Sequence, residues 1–359
     1  MNLENEIDRQ NAKVAAKGNS RGFLSLAPWR FNIIIFIMNR RLLITLILLV
    51  AAPGSLWFAV SQGSVHIGTT EIWQALYGGG NRMAFLIVHE LRLPRALAAF
   101  AVGGLLALSG ALLQILLRNP LADPYVLGVS GGAAVAALLS MLGGLGMAWV
   151  RSNAFFGAML SMLLVFGLSR IGSAWTQNRL LLTGVVIAAG WGAVISLILA
   201  VAPAAQVQGM LFWLIGDLSY ATNPGVALVA LLAGLAVSLW FARPLNLLMR
   251  GENVAAALGE SPARLRFLIY MLASLLTAMA VTLAGSIGFV GLVVPHILRL
   301  AGGSDHRFLL PTSVLLGGGF LTLADTLARS WVAPMQLPVG VLTALLGVPV
   351  FLYLLARTR

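Results

Sequence analysis

Cysteine is absent from this sequence, and lysine nearly so. The lack of cysteine excludes disulfide bonds, iron–sulfur clusters and thiol catalysis. The only lysines, Lys13 and Lys17, lie near the N-terminus. A phosphate-binding P-loop requires a lysine directly after its glycines, and neither lysine stands in that setting. We therefore expect no ATP hydrolysis by this chain, so any ATP-driven work would need a separate partner.

Charged residues are also scarce. The 359 residues are 59% hydrophobic and only 9% charged, with a mean hydropathy of +0.93, whereas soluble domains carry about 25% charged residues. Because about 20 apolar residues cross a bilayer as a helix, the long uncharged runs predict an all-α integral membrane protein with ten transmembrane helices. The predicted spans are 42–61, 96–117, 124–145, 152–170, 180–202, 223–242, 266–285, 288–303, 308–328 and 335–356. Pro203 and the polar residues after it predict an additional short re-entrant helix at 205–218.

The basic residues define a predicted orientation. The net charge is +12, but the arginines occupy short breaks between apolar runs, so they form no continuous basic face and nucleic-acid binding is not expected. The positive-inside rule places both termini in the cytoplasm. Residues 1–40 are predicted to be a disordered cytoplasmic tail, of which 1–37 are expected to be dispensable or to result from a mis-assigned start, and 41–359 are predicted to form the membrane domain. The arginines left on the outside are Arg82, Arg92, Arg95, Arg151 and Arg329.

Glycines at close spacing lie inside several predicted spans. Examples are Gly103 and Gly110 in the second span and the run 317–319 in the ninth. Small residues let helix backbones approach closely within a bilayer. We therefore predict tight helix packing at these positions.

Asp325 is the acidic residue that falls within a predicted span. Arg329 follows it at i+4, so a structural ion pair is predicted, with proton relay as the alternative. Few acidic residues occur in the spans, which disfavours an ion-coupled carrier. The four histidines show no metal-ligand spacing, and we expect no metal site and no cofactor.

Four sequence strings resemble a known family. They are RLPRALAAFAVGGLLALSGALLQILLRNPLADPYVLGVSGGA at 92–133, GSIGFVGLVVPHILRLAGGSDHR at 285–307, LADTLAR at 323–329 and LPVGVLTALLGVPVF at 337–351. They are similar to the FecCD type of permease, which imports iron siderophores, haem or vitamin B12 as part of an ABC transporter. The resemblance extends from about residue 42 to the C-terminus.

The resemblance implies a type II ABC importer permease in the bacterial inner membrane. It implies a second permease copy as a homodimer, cytoplasmic ATP-binding subunits, a periplasmic substrate-binding protein and surrounding membrane lipid. The expected substrate is an iron(III)-siderophore or a similar metal chelate, with vitamin B12 or haem as alternatives. On this interpretation the chain is a transport subunit and not an enzyme, and an ion-coupled secondary transporter is the competing class.

Three groups of residues match functional positions of that family. Arg92, Arg95 and Arg329 match arginines that dock the substrate-binding protein, with lipid-headgroup anchoring as the simpler alternative. Residues 244–264 match the loop that contacts the ATPase. The coupling residues expected there are Arg250, Glu252, Ala256, Leu258, Gly259 and Glu260. An ordinary solvated loop is the alternative for that segment.

The resemblance also indicates where the translocation path narrows on the cytoplasmic side. Asn119 and Leu121, between the second and third spans, match gate positions of the family. Gln177 and Asn178, before the fifth span, match the same constriction but replace the smaller hydroxyl residues expected there.

Overall fold

The structure is a computed structural model that describes residues 27–63, 65–79, 81–171, 176–219, 221, 223–331 and 335–357, with side chains described in these ranges from Asn39 to Ala356. In these ranges all regular secondary structure is helical. The chain divides into two units, Met1–Leu46 and Ile47–Arg359. The described part of the first unit is helical, and Thr45 Oγ1 donates a hydrogen bond of 2.9 Å to the carbonyl of Arg41 within it.

The first eight α-helices lie between residues 27 and 215. They are α1 Ala27–Ser61, α2 Thr69–Leu76, α3 Arg82–Leu86, α4 Leu93–Leu116, α5 Val129–Leu142, α6 Met147–Ser169, α7 Gln177–Val201 and α8 Ala204–Ile215. A π-helical turn, Ile87–Arg92, precedes α4, and a 3-10 helix, Pro124–Leu127, precedes α5.

Seven further α-helices follow. They are α9 Gly225–Trp240, α10 Ala242–Met249, α11 Glu252–Ala257, α12 Pro262–Ala284, α13 Val290–Gly302, α14 His306–Ser330 and α15 Val339–Arg357. Helices α9 and α10 are separated only by Phe241 and meet at an angle of 59°.

Every predicted span corresponds to one helix, and the predicted re-entrant segment corresponds to α8. The count of ten spans is not confirmed, because in the described ranges seven helices are long and apolar enough to cross a membrane, or eight if α9 and α10 form one bent span. The difference arises at α5 and α13, which have only 14 and 13 residues. Each is shortened at its start by a left-handed residue, Gly128 (φ 71°) or Phe289 (φ 69°).

The start of α1 also differs from the prediction. The helix begins at Ala27, upstream of the predicted span at 42, so residues 27–40 are helical where a disordered tail was expected. Residues 1–26 lie outside the described ranges.

Close glycine contacts hold the centre of the second unit together, as the spacing predicted. Helix α4 is almost wholly buried and packs on α12, α13 and α14. A Cβ atom at Gly103 would overlap the carbonyl of Gly317 on α14, and one at Gly110 would overlap the carbonyl of Gly291 on α13. Backbone therefore meets backbone at both positions, and the smallest residue is required.

Replacement of Gly110 by alanine should destabilise the fold by about 1–3 kcal/mol, because the added methyl group forces α4 and α13 apart. Thermal unfolding of the purified chain in detergent would measure this effect. Gly192→Ala is the matched control, since Gly192 is an exposed glycine in α7 with open space where the added methyl group would lie. An equal loss of stability in both variants would contradict the packing account.

Candidate functional site

One end of the second unit carries a cluster of arginines around Asp325, here called the outer arginine cluster after the orientation predicted from the sequence. Arg92 ends the π-helical turn, Arg95 lies in the first turn of α4, and Arg329 lies in the last turn of α14. The three arginines line one cleft of about 270 Å³ together with Glu90 and Gln336. The sequence prediction thus grouped residues that the fold does bring together.

Asp325 is held mainly by Arg95. Arg95 Nη2 donates to Asp325 Oδ1 at 2.8 Å and Arg95 Nε donates to Asp325 Oδ2 at 2.9 Å, which is the bidentate geometry of a strong charge-assisted pair. Arg329 Nε is 3.9 Å from Asp325 Oδ2, within ion-pair range but too far for a hydrogen bond. The predicted Asp325–Arg329 pair is therefore the weaker of two, and the hydrogen-bonded partner is on another helix.

Arg92 and Arg329 are engaged with the end of α1. Arg92, only 4% exposed, donates through Nη1 to the carbonyl of Val60 at 2.9 Å and through Nη2 to that of Val65. Arg329 donates to the carbonyl of Ala59. The last carbonyls of a helix have no partner within the helix and attract cations. Both side chains thus hold the end of α1, and their docking role stays a prediction.

Hydrogen bonds extend from the cluster to the segment that follows α8. Arg95 Nη1 donates to Gln336 Oε1 at 2.9 Å, and Ser219 Oγ lies 3.2 Å from the same oxygen. Ser219 Oγ also donates to Asp217 Oδ1 at 2.8 Å. Arg95 therefore links α4 to α14, to the segment before α15 and, through Gln336, to the segment after α8.

The opposite end of α14 contacts the segment predicted to couple to an ATPase. That segment contains α10 and α11, which we call the coupling element. Asn246 of α10 donates through Nδ2 to Asp305 Oδ1 at 3.0 Å, and its Oδ1 accepts a hydrogen bond from the backbone N–H of His306 at 3.0 Å. Asp305 is the N-cap of α14, so Asn246 fixes α10 to the start of that helix.

The predicted coupling residues differ in whether their side chains have partners within the chain. Glu252 is half-buried and paired, since its Oε1 accepts from Arg118 Nη2 at 3.2 Å and from Arg266 Nη1 at 3.0 Å. Leu258 is 62% exposed, and Val254, one turn earlier, is 42% exposed. The remaining predicted coupling residues are half-buried or exposed: Arg250, Ala256, Gly259 and Glu260.

The predicted gate residues lie at two helix ends. Asn119 Oδ1 accepts a hydrogen bond from the backbone N–H of Leu121 at 2.9 Å, which shapes the turn after α4. Gln177 and Asn178 open α7, which the Thr176 side chain caps. Helix α7 packs on the 3-10 helix at Gly184, but among the residues described no hydrogen bond or ion pair joins the two predicted gate pairs.

Comparison with known proteins identifies the family. Residues 45–357 match the model of the FecCD transport family, which is most of the chain. The chain belongs to the FecCD transport family.

Similar proteins support this assignment over nearly the full length of the FecCD permease. The hemin transport system permease protein HmuU of Yersinia pestis is 37% identical over 322 residues, covering 88% of this chain and 94% of that protein. The vitamin B12 import system permease protein BtuC of Yersinia enterocolitica is 38% identical over 324 residues, covering 89% and 91%. A solved structure of an inward-facing ABC transporter of the metal-chelate type matches with a TM-score of 0.76 and 31% identity, covering 88% of this chain and 98% of the other.

The FecCD permease is thus a multi-pass membrane protein and the permease subunit of an ABC importer. It is a transport subunit, and permeases of this kind work with ATP-binding and substrate-binding partners. The substrates named for its relatives differ from one another, so family membership leaves the substrate open.

Sequence reasoning missed the contacts that join distant segments of this FecCD permease. Arg95 and Asp325 are 230 residues apart, and Asn246 and His306 are 60 apart. One local signal indicated where α14 begins, because an aspartate such as Asp305 shortly before an apolar run is a typical helix N-cap. Nothing local indicated that Glu252 bonds to Arg118.

Replacement of Arg95 by glutamine should destabilise the permease by about 1–3 kcal/mol, because the buried Asp325 would lose its charged hydrogen-bond partner and keep only Arg329 at 3.9 Å. The double variant R95Q/D325N removes both charges and should recover most of the loss. Thermal unfolding in detergent would compare the two. A double variant as unstable as the single one would show that the ion pair is not the source of the effect.

Proposed function

We propose that this FecCD permease imports a metal chelate, with an iron(III)-siderophore as the first candidate, using ATP hydrolysed by separate cytoplasmic subunits. Three findings support the proposal: the chain lacks a P-loop lysine, its relatives include importers named for hemin and vitamin B12, and a matching structure is of the metal-chelate type. Vitamin B12 and haem are the alternative substrates. The proposed location is the bacterial inner membrane, with both termini in the cytoplasm.

The proposal is carried by the position of α14. This helix begins at the contact with Asn246 in the coupling element and carries Asp325 about 30 Å further along. Helix α4 runs beside α14 and connects the same two regions. Arg95 lies in the first turn of α4, and Arg118, just beyond its last turn, bonds Glu252. A movement of the coupling element would therefore reach the outer arginine cluster through two closely packed helices.

The outer arginine cluster is the proposed docking site of a substrate-binding protein. Its cleft is lined by three guanidinium groups, of which Arg95 and Arg329 share one carboxylate. A carboxylate of the docking protein could pair with the donors that Asp325 leaves unused. Arginine suits this role because it binds carboxylates bidentately. Arg92 would act indirectly by fixing the end of α1.

The coupling element is the proposed contact for an ATP-binding subunit. Val254 and Leu258 lie at i and i+4, so their exposed side chains form one apolar patch. The buried core of a protein interface is more apolar than the rest of the protein surface, and this patch has that character. Asn246 and Glu252 would transmit force from this patch to α14 and α4.

A second copy of the permease is proposed to cover α7. The apolar side chains of this helix are largely exposed, among them Leu182, Val186 and Leu197 at 65%, 69% and 63%. Two copies facing each other would enclose one path, with Asn119, Leu121, Gln177 and Asn178 at its cytoplasmic end. The chelate would pass between weakly polar walls, and high affinity would reside in the binding protein.

An ion-coupled mechanism is disfavoured by the contacts of Asp325. A proton relay needs a carboxylate that gains and loses a proton, whereas both oxygens of Asp325 accept hydrogen bonds from Arg95. Protonation of Asp325 would remove the counter-charge with which this arginine is paired.

The docking role can be tested with R95Q/D325N together with Arg329→Gln, with thermal unfolding as the check on folding because Arg329 also contacts the end of α1. Removal of these charges should reduce the ATP hydrolysis stimulated by the binding protein at least about tenfold, while basal hydrolysis of the reconstituted complex is retained. Arg82→Gln is the control, since Arg82 is an exposed arginine at the start of α3 that does not line the cleft. Full stimulation in the triple variant would refute docking at this cluster.

The coupling role can be tested with Leu258→Glu. A charge in the apolar patch should weaken binding of the ATP-binding subunit at least about tenfold, which co-purification would detect. Thr70→Glu places the same charge at an exposed position in the first turn of α2, outside residues 244–264, and should leave binding unchanged. Equal binding by both variants would show that the ATP-binding subunit contacts another part of the permease.

A further inference from the structure

An apolar groove lies where α9 bends into α10. The 59° bend at Phe241 opens a gap against α12 and α6, and the resulting groove has a volume of about 310 Å³. Its walls are almost entirely apolar and include Met159, Met162, Phe241, Leu245, Leu268 and Leu272. The hydroxyl of Ser238, which also lines it, is bonded to the carbonyl of Gly234 at 2.7 Å. The groove therefore offers no hydrogen-bonding group to a polar ligand.

The groove opens on the side of the bundle. Leu268 and Leu275 of α12 are 38% and 42% exposed. Arg264 precedes them on the same helix stripe, since 264, 268, 271 and 275 follow the i, i+4, i+7, i+11 spacing of one helix face. An apolar groove on the outer face of a membrane protein is open to lipid acyl chains.

One end of the groove is cationic. The Arg170 guanidinium stacks over the Phe166 ring at 4.1 Å and lies 5.9 Å from the Phe267 ring. Phe166 in turn stacks on Tyr270, whose hydroxyl donates to the carbonyl of the groove residue Met162 at 2.7 Å. These contacts place Arg170 directly beyond the apolar walls, at the end predicted to face the cytoplasm.

Two exposed arginines lie at the same end. Arg243 stands between the groove residues Phe241 and Leu245, and Arg264 immediately precedes the groove residue Leu265. Two acidic residues of the neighbouring segments already have partners, because Glu252 pairs with Arg118 and Arg266, and Asp305 accepts from Asn246. The third neighbouring carboxylate, Glu260, lies four residues before Arg264, so the three arginines outnumber the acidic side chains left near this end.

We propose that this groove binds one acyl chain of an anionic phospholipid, with the lipid phosphate held by Arg170, Arg243 and Arg264. An apolar slot that ends in clustered arginines complements an amphiphile with a negative head. A helix from a second protein would need a wider apolar surface and would leave the cationic end without a partner. The site is separate from the outer arginine cluster and the coupling patch.

Native mass spectrometry of the full-length chain in detergent tests the proposal. The probes are phosphatidylglycerol and phosphatidylcholine with identical acyl chains, and inorganic phosphate alone. We expect phosphatidylglycerol to bind at least about tenfold more tightly than phosphatidylcholine, and inorganic phosphate not to compete with it. The double variant R243Q/R264Q should lose this preference, whereas Arg307→Gln, an exposed arginine of α14 outside the groove, should keep it.

A second variant tests the groove itself. Leu268→Trp places a larger ring at the groove opening and should reduce binding of both lipids, with thermal unfolding as the check on folding. Equal binding of the two lipids by the unaltered chain, or an equal loss in the Arg307→Gln control, would overturn the proposal. If Leu268→Trp abolished a dimer of the permease, the groove would be an interface with a second copy of the chain, and the lipid proposal would be wrong. Because binding is measured without ATP or partners, its failure would not bear on the proposed transport function.

Discussion

The negative charge of Asp325 lies among apolar helices, and the bidentate hydrogen bonds from Arg95 make that position tenable. A buried carboxylate without a partner is costly, so the first turn of α4 and the end of α14 must stay together. The glycine contact between Gly103 and Gly317 brings the same two helices together nearer their middles. Electrostatics at one end and backbone packing in the centre thus fix one helix pair around which the other elements are arranged.

This helix pair gives the permease two connected ends. At one end Arg95 contacts α14 and, through Gln336, the segment after α8. At the other end the short helices α10 and α11 are tied to α14 by Asn246 and to α4 by Glu252. The contacts at both ends are polar and the intervening packing is rigid. Such an arrangement suits a protein that must relate events on the two sides of a membrane.

The helices were predictable because the information for them is local. Long uncharged runs predicted every described span, and Pro203 predicted the separate helix α8. Span number was less predictable, since left-handed residues such as Gly128 shorten helices without changing their hydrophobicity. The positive-inside rule and a family resemblance singled out the outer arginines, but neither indicated that Arg92 and Arg329 are bonded to carbonyls at and after the end of α1. The pairing of Arg95 with Asp325 depends on the tertiary fold, and spacing alone indicated the nearer Arg329.

Transport by the purified chain in liposomes tests the central claim most directly. Without partner subunits, and with an imposed proton or sodium gradient, the chain should not accumulate a ferric siderophore above the external concentration. Addition of the ATP-binding subunits, the binding protein and ATP should restore uphill uptake. Accumulation driven by the ion gradient alone would contradict the account.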